Sequence, residues 1–160
     1  MSLHIELSGR VDVAAAPTDA FRFFTPEGER LWVPDWEPEY LHPPDGTEAE
    51  GMLFRTRHGG ELTLWLAARL DRSAGAIEYV RVTPESRMGT VSVQLSPAGP
   101  AAAAATITYR LTSLSAAGDR ALETFAREFP GMLADWERRI GYAVKLVPPN
   151  PRAKADGDAP

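Results

Sequence analysis

The side chains that most often do chemistry in enzymes are sparse in this sequence, and their spacing fits no known motif. The histidines, His4, His42 and His58, are not at metal-ligand spacing, and no H-E-x-x-H motif is present. The chain has no cysteine, which excludes disulfides, thiolate catalysis and cysteine-based metal sites. It also has no G-x-S-x-G elbow and no phosphate-binding glycine loop. We therefore predict no metal and no cofactor, and no catalytic residue can be named from the sequence.

Three residues remain as candidates for acid–base chemistry. Glu78 and Tyr109 could serve as a proton-transferring pair only if the fold buries them beside each other. His58 directly precedes Gly59-Gly60, a strong signal for a two-residue hairpin turn. An exposed position at the hairpin is therefore favoured for His58 over a role as a base.

Composition and charge limit the classes of partner. The 160 residues are 44% hydrophobic and 24% charged, as expected for one globular domain. The net charge of −5 argues against nucleic-acid binding, which usually needs a clustered basic surface. Eight acids and one base lie between Glu27 and Glu50. We interpret this stretch as a solvated surface; the alternative is a rim that repels anions or docks a basic partner.

The sequence contains no targeting or membrane-spanning signal that we can identify. No run approaches the ~18 apolar residues of a membrane helix. The first residues include Ser2, His4 and Glu6 and do not form the apolar core of a signal peptide. We therefore expect a cytoplasmic protein without a membrane span, and the oligomeric state stays open.

A long amphipathic helix is predicted from Ser115 to Leu146. Ser115 suits the N-cap, and Pro148 would end the helix. Pro130 lies in the middle and should bend it. Steps of three and four residues place these large apolar side chains on one stripe: Leu122, Phe125, Phe129, Met132, Leu133, Trp136, Ile140 and Val144.

The rest of the chain reads as one strand, two short helices and a meander of strands. Alternating apolar and polar residues predict a strand over 5–13, and Pro17 and Thr25-Pro26 each suit the start of a short helix. Prolines restrict 36–41 to a short or edge strand. Five longer strands follow, separated by turn residues: 52–57, 62–70, 77–83, 88–96 and 106–113.

The sequence leaves open which face of the central strands points inward. One face carries leucine and valine, including Leu64, and we favour it as the inward face. However, a two-residue turn at Gly59-Gly60 pairs Phe54 with Trp65 and Arg55 with Leu64. If the Trp65 face is inward instead, Arg69, Tyr79 and Arg81 could enter the interior as polar groups that orient a ligand.

This order of elements predicts an α+β fold in which a curved antiparallel sheet of about seven strands grips the long helix. With that order and spacing, residues 3–146 resemble the helix-grip (START/SRPBCC) superfamily. The resemblance rests on the segment from Val13 to Pro17 with Phe21, the Gly51–Trp65 hairpin, the 106–115 strand and the last helix. The superfamily includes lipid-transfer domains, polyketide cyclases/dehydratases and activators of chaperone ATPases. We predict one helix-grip domain, 1–146, and a flexible tail, 147–160.

The resemblance implies a cavity between sheet and helix that binds a small hydrophobic or aromatic molecule, for example a lipid. The alternatives are a polyketide cyclase/dehydratase-like enzyme and a protein-interaction domain like the chaperone-ATPase activators. The first alternative requires polar side chains clustered in the cavity, and the second requires a filled core. The residues that would line the cavity are Trp36, Tyr40, Phe54, Tyr109, Phe125, Phe129, Met132, Leu133 and Trp136.

Overall fold

One curved antiparallel sheet and one long helix make up most of the protein, which the computed structural model describes over residues 2–148. The strands are β1 His4–Val13, β2 Glu39–His42, β3 Leu53–His58, β4 Glu61–Asp71, β5 Ala76–Thr83, β6 Arg87–Pro97 and β7 Ala103–Ser113. The helices are α1 Pro17–Ala20, two 3₁₀ helices at Phe21–Phe24 and Gly28–Leu31, and α2 Ala116–Leu146. The predicted α+β class, the seven strands and the long last helix are confirmed.

The sheet has the strand order β1-β7-β6-β5-β4-β3-β2, and all neighbouring strands are antiparallel. Gly59 and Gly60 have φ angles of 57° and 80°, in the left-handed region that glycine adopts easily. They form the two-residue turn between β3 and β4, so Phe54 pairs with Trp65 as the sequence predicted. The short strand β2 lies at the sheet edge, where its neighbouring prolines are tolerated.

The inward face of β4 and β5 is the face with aromatic and polar side chains, which corrects our preference for leucine and valine. In β4, Thr63 is buried, whereas the next residue, Leu64, points to the opposite face and is 38% exposed. In β5, Tyr79 is buried and Val80 is only half-buried. The hairpin register continues without a bulge up to Ala67. Because successive residues alternate between faces, Leu64 and Leu66 therefore lie on the outer face of β4. The preferred face does point inward in β6 and β7, where these residues are buried: Val91, Val93, Leu95, Ile107, Tyr109 and Leu111.

A register shift in β4 changes the alternation once. It lies between Ala67 and Arg69, where β4 has an extra residue opposite β5. After this shift Leu70 packs against the core, and the Arg69 side chain is 52% exposed. Arg69 therefore does not enter the interior, unlike the other two polar residues considered with it.

The helix α2 begins at the predicted cap and lies close to β1. The Ser115 hydroxyl accepts a hydrogen bond from the Gly118 amide at 3.1 Å. A β-carbon on Gly9 of β1 would clash with Leu133, so glycine permits this close approach. The fully or nearly buried large side chains of α2 are Leu122, Phe129, Leu133 and Ile140. These four residues anchor the helix on the sheet.

Pro130 lies inside α2 without ending it, and the predicted bend at this position stays a prediction. Of the predicted tail, 147–160, only Val147 and Pro148 are described, and the remainder lies outside the described residues. The Arg22 guanidinium donates a hydrogen bond to the Pro148 carbonyl oxygen at 3.2 Å. Within residues 2–148, no helix combines the length and the apolar character needed to cross a bilayer.

Candidate functional site

A cavity of about 460 Å³ lies between the inner face of the sheet, the second 3₁₀ helix and α2. The helix α2 packs mainly on β1 at one side of the sheet, and β3 and β4 lie toward the other side. The aromatic side chains that line the cavity are Phe24, Trp36, Phe54, Trp65, Tyr79, Tyr109, Phe125 and Trp136. The interior is therefore hollow at the end formed by the β3–β4 hairpin.

The aromatic wall is held in place by ring packing and by hydrogen bonds from the indole nitrogens. Phe54 and Trp65 stack with ring planes 2° apart, and Trp36 meets both rings edge-on. The Trp36 indole N–H donates to the Pro26 carbonyl oxygen at 2.7 Å. The Trp65 indole N–H donates to the Thr56 hydroxyl at 2.9 Å. With their polar atoms engaged by protein, these indoles offer rigid apolar surfaces to the cavity.

Arg81 is a half-buried cation in the cavity wall. Its guanidinium carbon lies 4.9 Å from the centre of the Trp65 ring. Its Nε atom is fully buried and makes no hydrogen bond to any of the residues described in the structure. Burial lowers the pKa of Arg81, because the charged form loses hydration. A buried donor without a partner is unusual in proteins, so the hydrogen-bonding capacity of the Arg81 guanidinium, which lines the cavity, is not fully used by the described residues.

Glu29 faces the same cavity from the second 3₁₀ helix. Burial raises the pKa of the Glu29 carboxyl well above its usual range, and no cation or hydrogen bond from the described residues offsets this shift. Burial also raises the pKa of Tyr109 to about 12. Arg81 lowers and Glu29 raises the pKa of Tyr109, so both charges lie near this phenol. Glu29, Tyr109 and Arg81 thus form a set of hydrogen-bond donors inside an aromatic cavity.

The hairpin end of the cavity has a charged rim. Glu61 and Arg87 form a two-pronged ion pair with nitrogen–oxygen distances of 2.7 and 3.1 Å. Hydrogen bonds from Arg87 lower the pKa of Glu61 more than its partial burial raises it. His58 is exposed at the same rim, as the hairpin signal predicted. The rim is therefore polar, and the apolar walls begin below it.

Six of the nine predicted ligand-binding residues line this cavity: Trp36, Phe54, Tyr109, Phe125, Met132 and Trp136. They come from the loop before β2, from β3, from β7 and from α2. Phe125 packs edge-on against Tyr109 with ring centres 4.8 Å apart, so these two residues join the helix wall to the sheet wall. The helix residues among them are half-buried, because part of each side chain borders the hollow.

The other three predicted residues lie behind the cavity walls. Tyr40 packs on Phe54, and its hydroxyl donates a 2.5 Å hydrogen bond to Glu27. Phe129 and Leu133 are buried on the side of α2 that packs on β1. The apolar stripe of α2 is wider than the cavity, so some of its residues fill solid core. Helical periodicity cannot separate the two groups.

Glu78 and Tyr109, the candidate proton-transferring pair, are not brought together. Glu78 pairs with Ser92 in the register, whereas Tyr109 is in the row of Tyr79 and Val91. Successive residues of a strand point to opposite faces, so Glu78 lies on the outer face and Tyr109 on the inner one. The pair is therefore excluded as an acid–base site.

The sequence analysis missed Trp65 as a preferred wall residue and Glu29 altogether. Trp65 and Arg81 were considered only as the less favoured inward face. Glu29 was counted among the eight acids of the presumed solvated stretch. Its position three residues after Pro26, on a predicted helix, was the only signal, and nothing in the sequence distinguishes it from its acidic neighbours. For metals, the described part of the chain contains no cluster of three or more acidic or histidine ligands.

A long C-terminal helix gripped by a curved seven-stranded antiparallel sheet, with a hollow between them, is the helix-grip fold. Solved structures with this fold superimpose on nearly the whole chain. Norcoclaurine synthase from Thalictrum flavum, in complex with dopamine and hydroxybenzaldehyde, has a TM-score of 0.68 at 13% identity, covering 93% of this chain and 91% of that one. The Zhui aromatase/cyclase from a Streptomyces species has a TM-score of 0.64 at 17% identity, covering 91% and 97%.

A third similar structure is the XoxI protein from Bacillus cereus, with a TM-score of 0.65 at 10% identity, covering 86% of this chain and 94% of that one. No family model matches the chain, and no curated protein matches its sequence. Identities this low establish the fold alone. The resemblance to helix-grip proteins that the sequence suggested is confirmed at that level.

Proposed function

We propose that this protein binds a small aromatic or otherwise hydrophobic molecule that carries oxygen acceptors, inside the cavity between the sheet and α2. The observation that carries the proposal is an aromatic hollow of about 460 Å³ with the Arg81 guanidinium in its wall, whose buried Nε has no partner among the described residues. Ligand sites are typically concave, mostly apolar and equipped with a few convergent polar groups. A filled core, which a pure protein-interaction domain would require, does not fit this hollow.

The size of the cavity limits the ligand and its affinity. The volume of about 460 Å³ suits a molecule of two or three fused rings. Such a molecule has roughly 20 non-hydrogen atoms, and at about 0.3 kcal/mol per atom it would bind with about 6 kcal/mol. This corresponds to a dissociation constant of tens of micromolar, before any gain from well-aligned polar contacts.

The polar groups favour acceptor-rich ligands. Arg81 can only donate hydrogen bonds, and Tyr109 and Glu29 stay protonated over a wider pH range than usual. A ligand with several carbonyl, ether or phenol oxygens would satisfy these donors, whereas an alkane would leave them unpaired. The similar fold of a synthase solved with dopamine and hydroxybenzaldehyde supports an aromatic ligand of this kind.

The test is a ligand screen with a cavity-filling variant. Flavonoids, aromatic polyketides and fatty acids would be screened by thermal shift and by quenching of tryptophan fluorescence. A ligand at a hundredfold excess over Kd should stabilise the native state by about 2.7 kcal/mol. Met132→Trp, at the cavity wall, should abolish the shift while the protein stays folded. Met88→Trp is the matched control, because Met88 is 42% exposed and lies away from the cavity.

Two outcomes would contradict the proposal. One is a screen in which no compound of the three classes stabilises the protein or quenches its fluorescence. The other is a ligand whose binding survives Met132→Trp as well as Met88→Trp, which would locate its site outside the cavity. Fatty acids bound in preference to aromatic compounds would retain the cavity and replace the ligand class.

A second candidate function is a cyclase/dehydratase-like enzyme, and the position of Glu29 favours it. In this reaction, the Glu29 carboxylate would take the α-proton of a β-hydroxy ketone while Arg81 stabilises the enolate oxygen. The same carboxyl would then protonate the departing β-hydroxyl, so that a carbon–carbon double bond forms, water leaves and the carboxylate is regenerated. The high pKa of Glu29 suits a group that both takes and gives a proton.

A model β-hydroxy ketone, the aldol of naphthaldehyde and acetone, tests this candidate. Its dehydration gives a conjugated enone that absorbs in the near ultraviolet. Wild-type protein should accelerate the change, and Glu29→Gln should abolish the acceleration while the Gln variant still binds the substrate. A rate equal to that in buffer would leave ligand binding as the only proposed function.

A further inference from the structure

The polar side chains of the cavity wall differ in chemistry from one element to another. The basic residues that line it are Arg57, His58, Arg81 and Arg87, and they belong to the β3–β4 hairpin and to the neighbouring ends of β5 and β6. Glu29 comes from a different element, the second 3₁₀ helix, and its carbonyl oxygen accepts a hydrogen bond from the Val33 amide at 2.8 Å. Tyr109 lies near both Arg81 and Glu29, since its pKa responds to each of them.

The surroundings of Glu29 do not favour a carboxylate. Tyr79 of β5 and Tyr109 of β7 lie near Glu29, since the pKa of each responds to it, and the cavity wall also contains Arg81 of β5 and the exposed acids Asp35 and Glu128. Two of these are phenols and two are acids, and none of them lowers the pKa of Glu29. The Tyr79 hydroxyl already donates to the Phe24 carbonyl oxygen at 2.8 Å, so it is not free to donate to Glu29.

We propose that Glu29, as a neutral carboxylic acid, selects the ligand in its part of the cavity by donating its proton in a hydrogen bond to an uncharged oxygen acceptor. The cavity then takes molecules that have a ketone, aldehyde, ester or ether oxygen toward the 3₁₀ helix. It disfavours a carboxylate or phenolate at that position, because burying the charge of the ligand there costs more hydration than one hydrogen bond restores. This selectivity rests on the proposed binding function.

A protonated carboxyl can donate only below its pKa. The pKa of Glu29 is raised by burial, so the carboxyl keeps its proton to a higher pH than an exposed glutamate and loses it as the pH rises past the raised value. Above it, a buried carboxylate would face the ligand and repel its oxygen. Binding of an acceptor ligand should therefore weaken with rising pH, even when the ligand itself does not titrate.

The experiment compares acetylnaphthalene with ethylnaphthalene, both substituted at the same ring position. Neither compound titrates between roughly pH 5 and pH 9, the range in which a buried carboxyl can ionise. They share shape and ring, but only acetylnaphthalene has an oxygen acceptor. Tryptophan quenching gives their dissociation constants for wild-type protein, Glu29→Gln, Glu29→Leu and the control Glu37→Gln. Glu37 is exposed and is not part of the cavity wall.

Wild-type protein should prefer acetylnaphthalene about two- to tenfold at acidic pH, the range expected for one net hydrogen bond. This preference should fall toward onefold as the pH rises. Glu29→Gln keeps a donor that does not titrate, so its preference should persist at every pH. Glu29→Leu should show no preference, and Glu37→Gln should behave like wild-type protein.

The outcomes separate this inference from the proposed function. If both naphthalenes bind but the preference is independent of pH or survives Glu29→Leu, the assignment of Glu29 is wrong and the cavity remains a binding site. If neither compound binds to wild-type protein at any pH, both proposals fail. Circular dichroism of the Gln and Leu variants checks that each is folded, and the Gln variant alone suffices to test the pH dependence.

Discussion

Replacement of Arg81 by methionine should make the protein more stable while it weakens ligand binding. In the ligand-free protein, the buried Nε of Arg81 has no partner among the described residues, which typically costs about 1–3 kcal/mol. The contact between the guanidinium and the Trp65 ring at 4.9 Å offsets about 0.5–2 kcal/mol of this. Methionine keeps an apolar stem, and a thioether over the indole contributes about 0.3–1.5 kcal/mol.

The sum of these three contributions predicts that Arg81→Met raises the free energy of unfolding by about 1 kcal/mol. Urea titration followed by tryptophan fluorescence would measure it, and the midpoint of thermal unfolding should rise by about 2–4 °C for a domain of this size. An oxygen-bearing ligand found in the screen should bind about tenfold or more weakly, because a charge-assisted hydrogen bond is lost. Arg57→Met is the control: Arg57 is exposed at the rim, so its replacement should change stability by less than about 0.5 kcal/mol.

A clear loss of stability in Arg81→Met would refute this reasoning. A decrease of more than about 1 kcal/mol would mean that the guanidinium is well satisfied in the free protein, by water or by its ring contact. Arg81 would then be a structural residue, and its unpartnered nitrogen would no longer support a ligand site. An unchanged affinity for the oxygen-bearing ligand would lead to the same conclusion by an independent measurement.

Three further predictions concern the helix and the tail. Trp136→Ala should lower the free energy of unfolding by about 2–4 kcal/mol in denaturant titration. This is near the low end for buried aromatic residues, because Trp136 borders the hollow. A loss below about 1 kcal/mol would contradict the packing of Trp136 on Trp32. Hydrogen bonds, chiefly from Ser113, lower the pKa of Asp119, so Asp119→Asn should lower the melting temperature at neutral pH. The difference in melting temperature between the two proteins should vanish as acid protonates Asp119 in the wild-type protein. We also propose that residues 1–146 fold alone: truncation after Leu146 should change stability by no more than about 1 kcal/mol, the value of one hydrogen bond, and a larger loss would show that the tail packs on the body.

The order of elements could be predicted from the sequence because each element carries a strong local signal. Alternation identifies the strands, Gly59-Gly60 identifies the tight turn, and Ser115 identifies the start of α2. The short helices were also expected, although most of their residues form 3₁₀ turns rather than α-helix. These signals act over a few residues, so they survive without knowledge of the tertiary structure.

The inward face could not be predicted in the same way. The Leu64 face of β4 is the more apolar one, and the Trp65 face also contains Glu61 and Thr63, so the hydrophobic pattern alone favours the wrong face. The hairpin register does determine the inward face. Strict pairing of Phe54 with Trp65 was noted in the sequence but was given less weight than the row of leucines. A hollow interior also reverses the usual expectation, because the wall of a cavity can hold arginine and threonine that a solid core would exclude.

The site residues were predicted where a large aromatic side chain happened to lie on the cavity side of its element. Six of the nine predicted residues line the cavity, five aromatic residues and Met132, and the other three lie one helical step or one ring away from it. Glu29 could not be predicted as a cavity residue, because its burial depends on residues far away in the chain, among them Tyr79 and Tyr109. Long-range burial leaves no mark in local composition.

The two sides of α2 therefore divide stability from binding. Phe129, Leu133 and the other buried residues of this helix pack on the sheet, mainly on β1, and truncating them would open new cavities. Phe125, Met132 and Trp136 are only half-buried because they border a cavity that already exists. Changes on this second side remove fewer contacts with protein and more contacts with a ligand. A helix that packs on the sheet and also borders a cavity needs an apolar stripe wider than its contact with the sheet. The stripe predicted from the sequence therefore contains both core residues and cavity-lining residues.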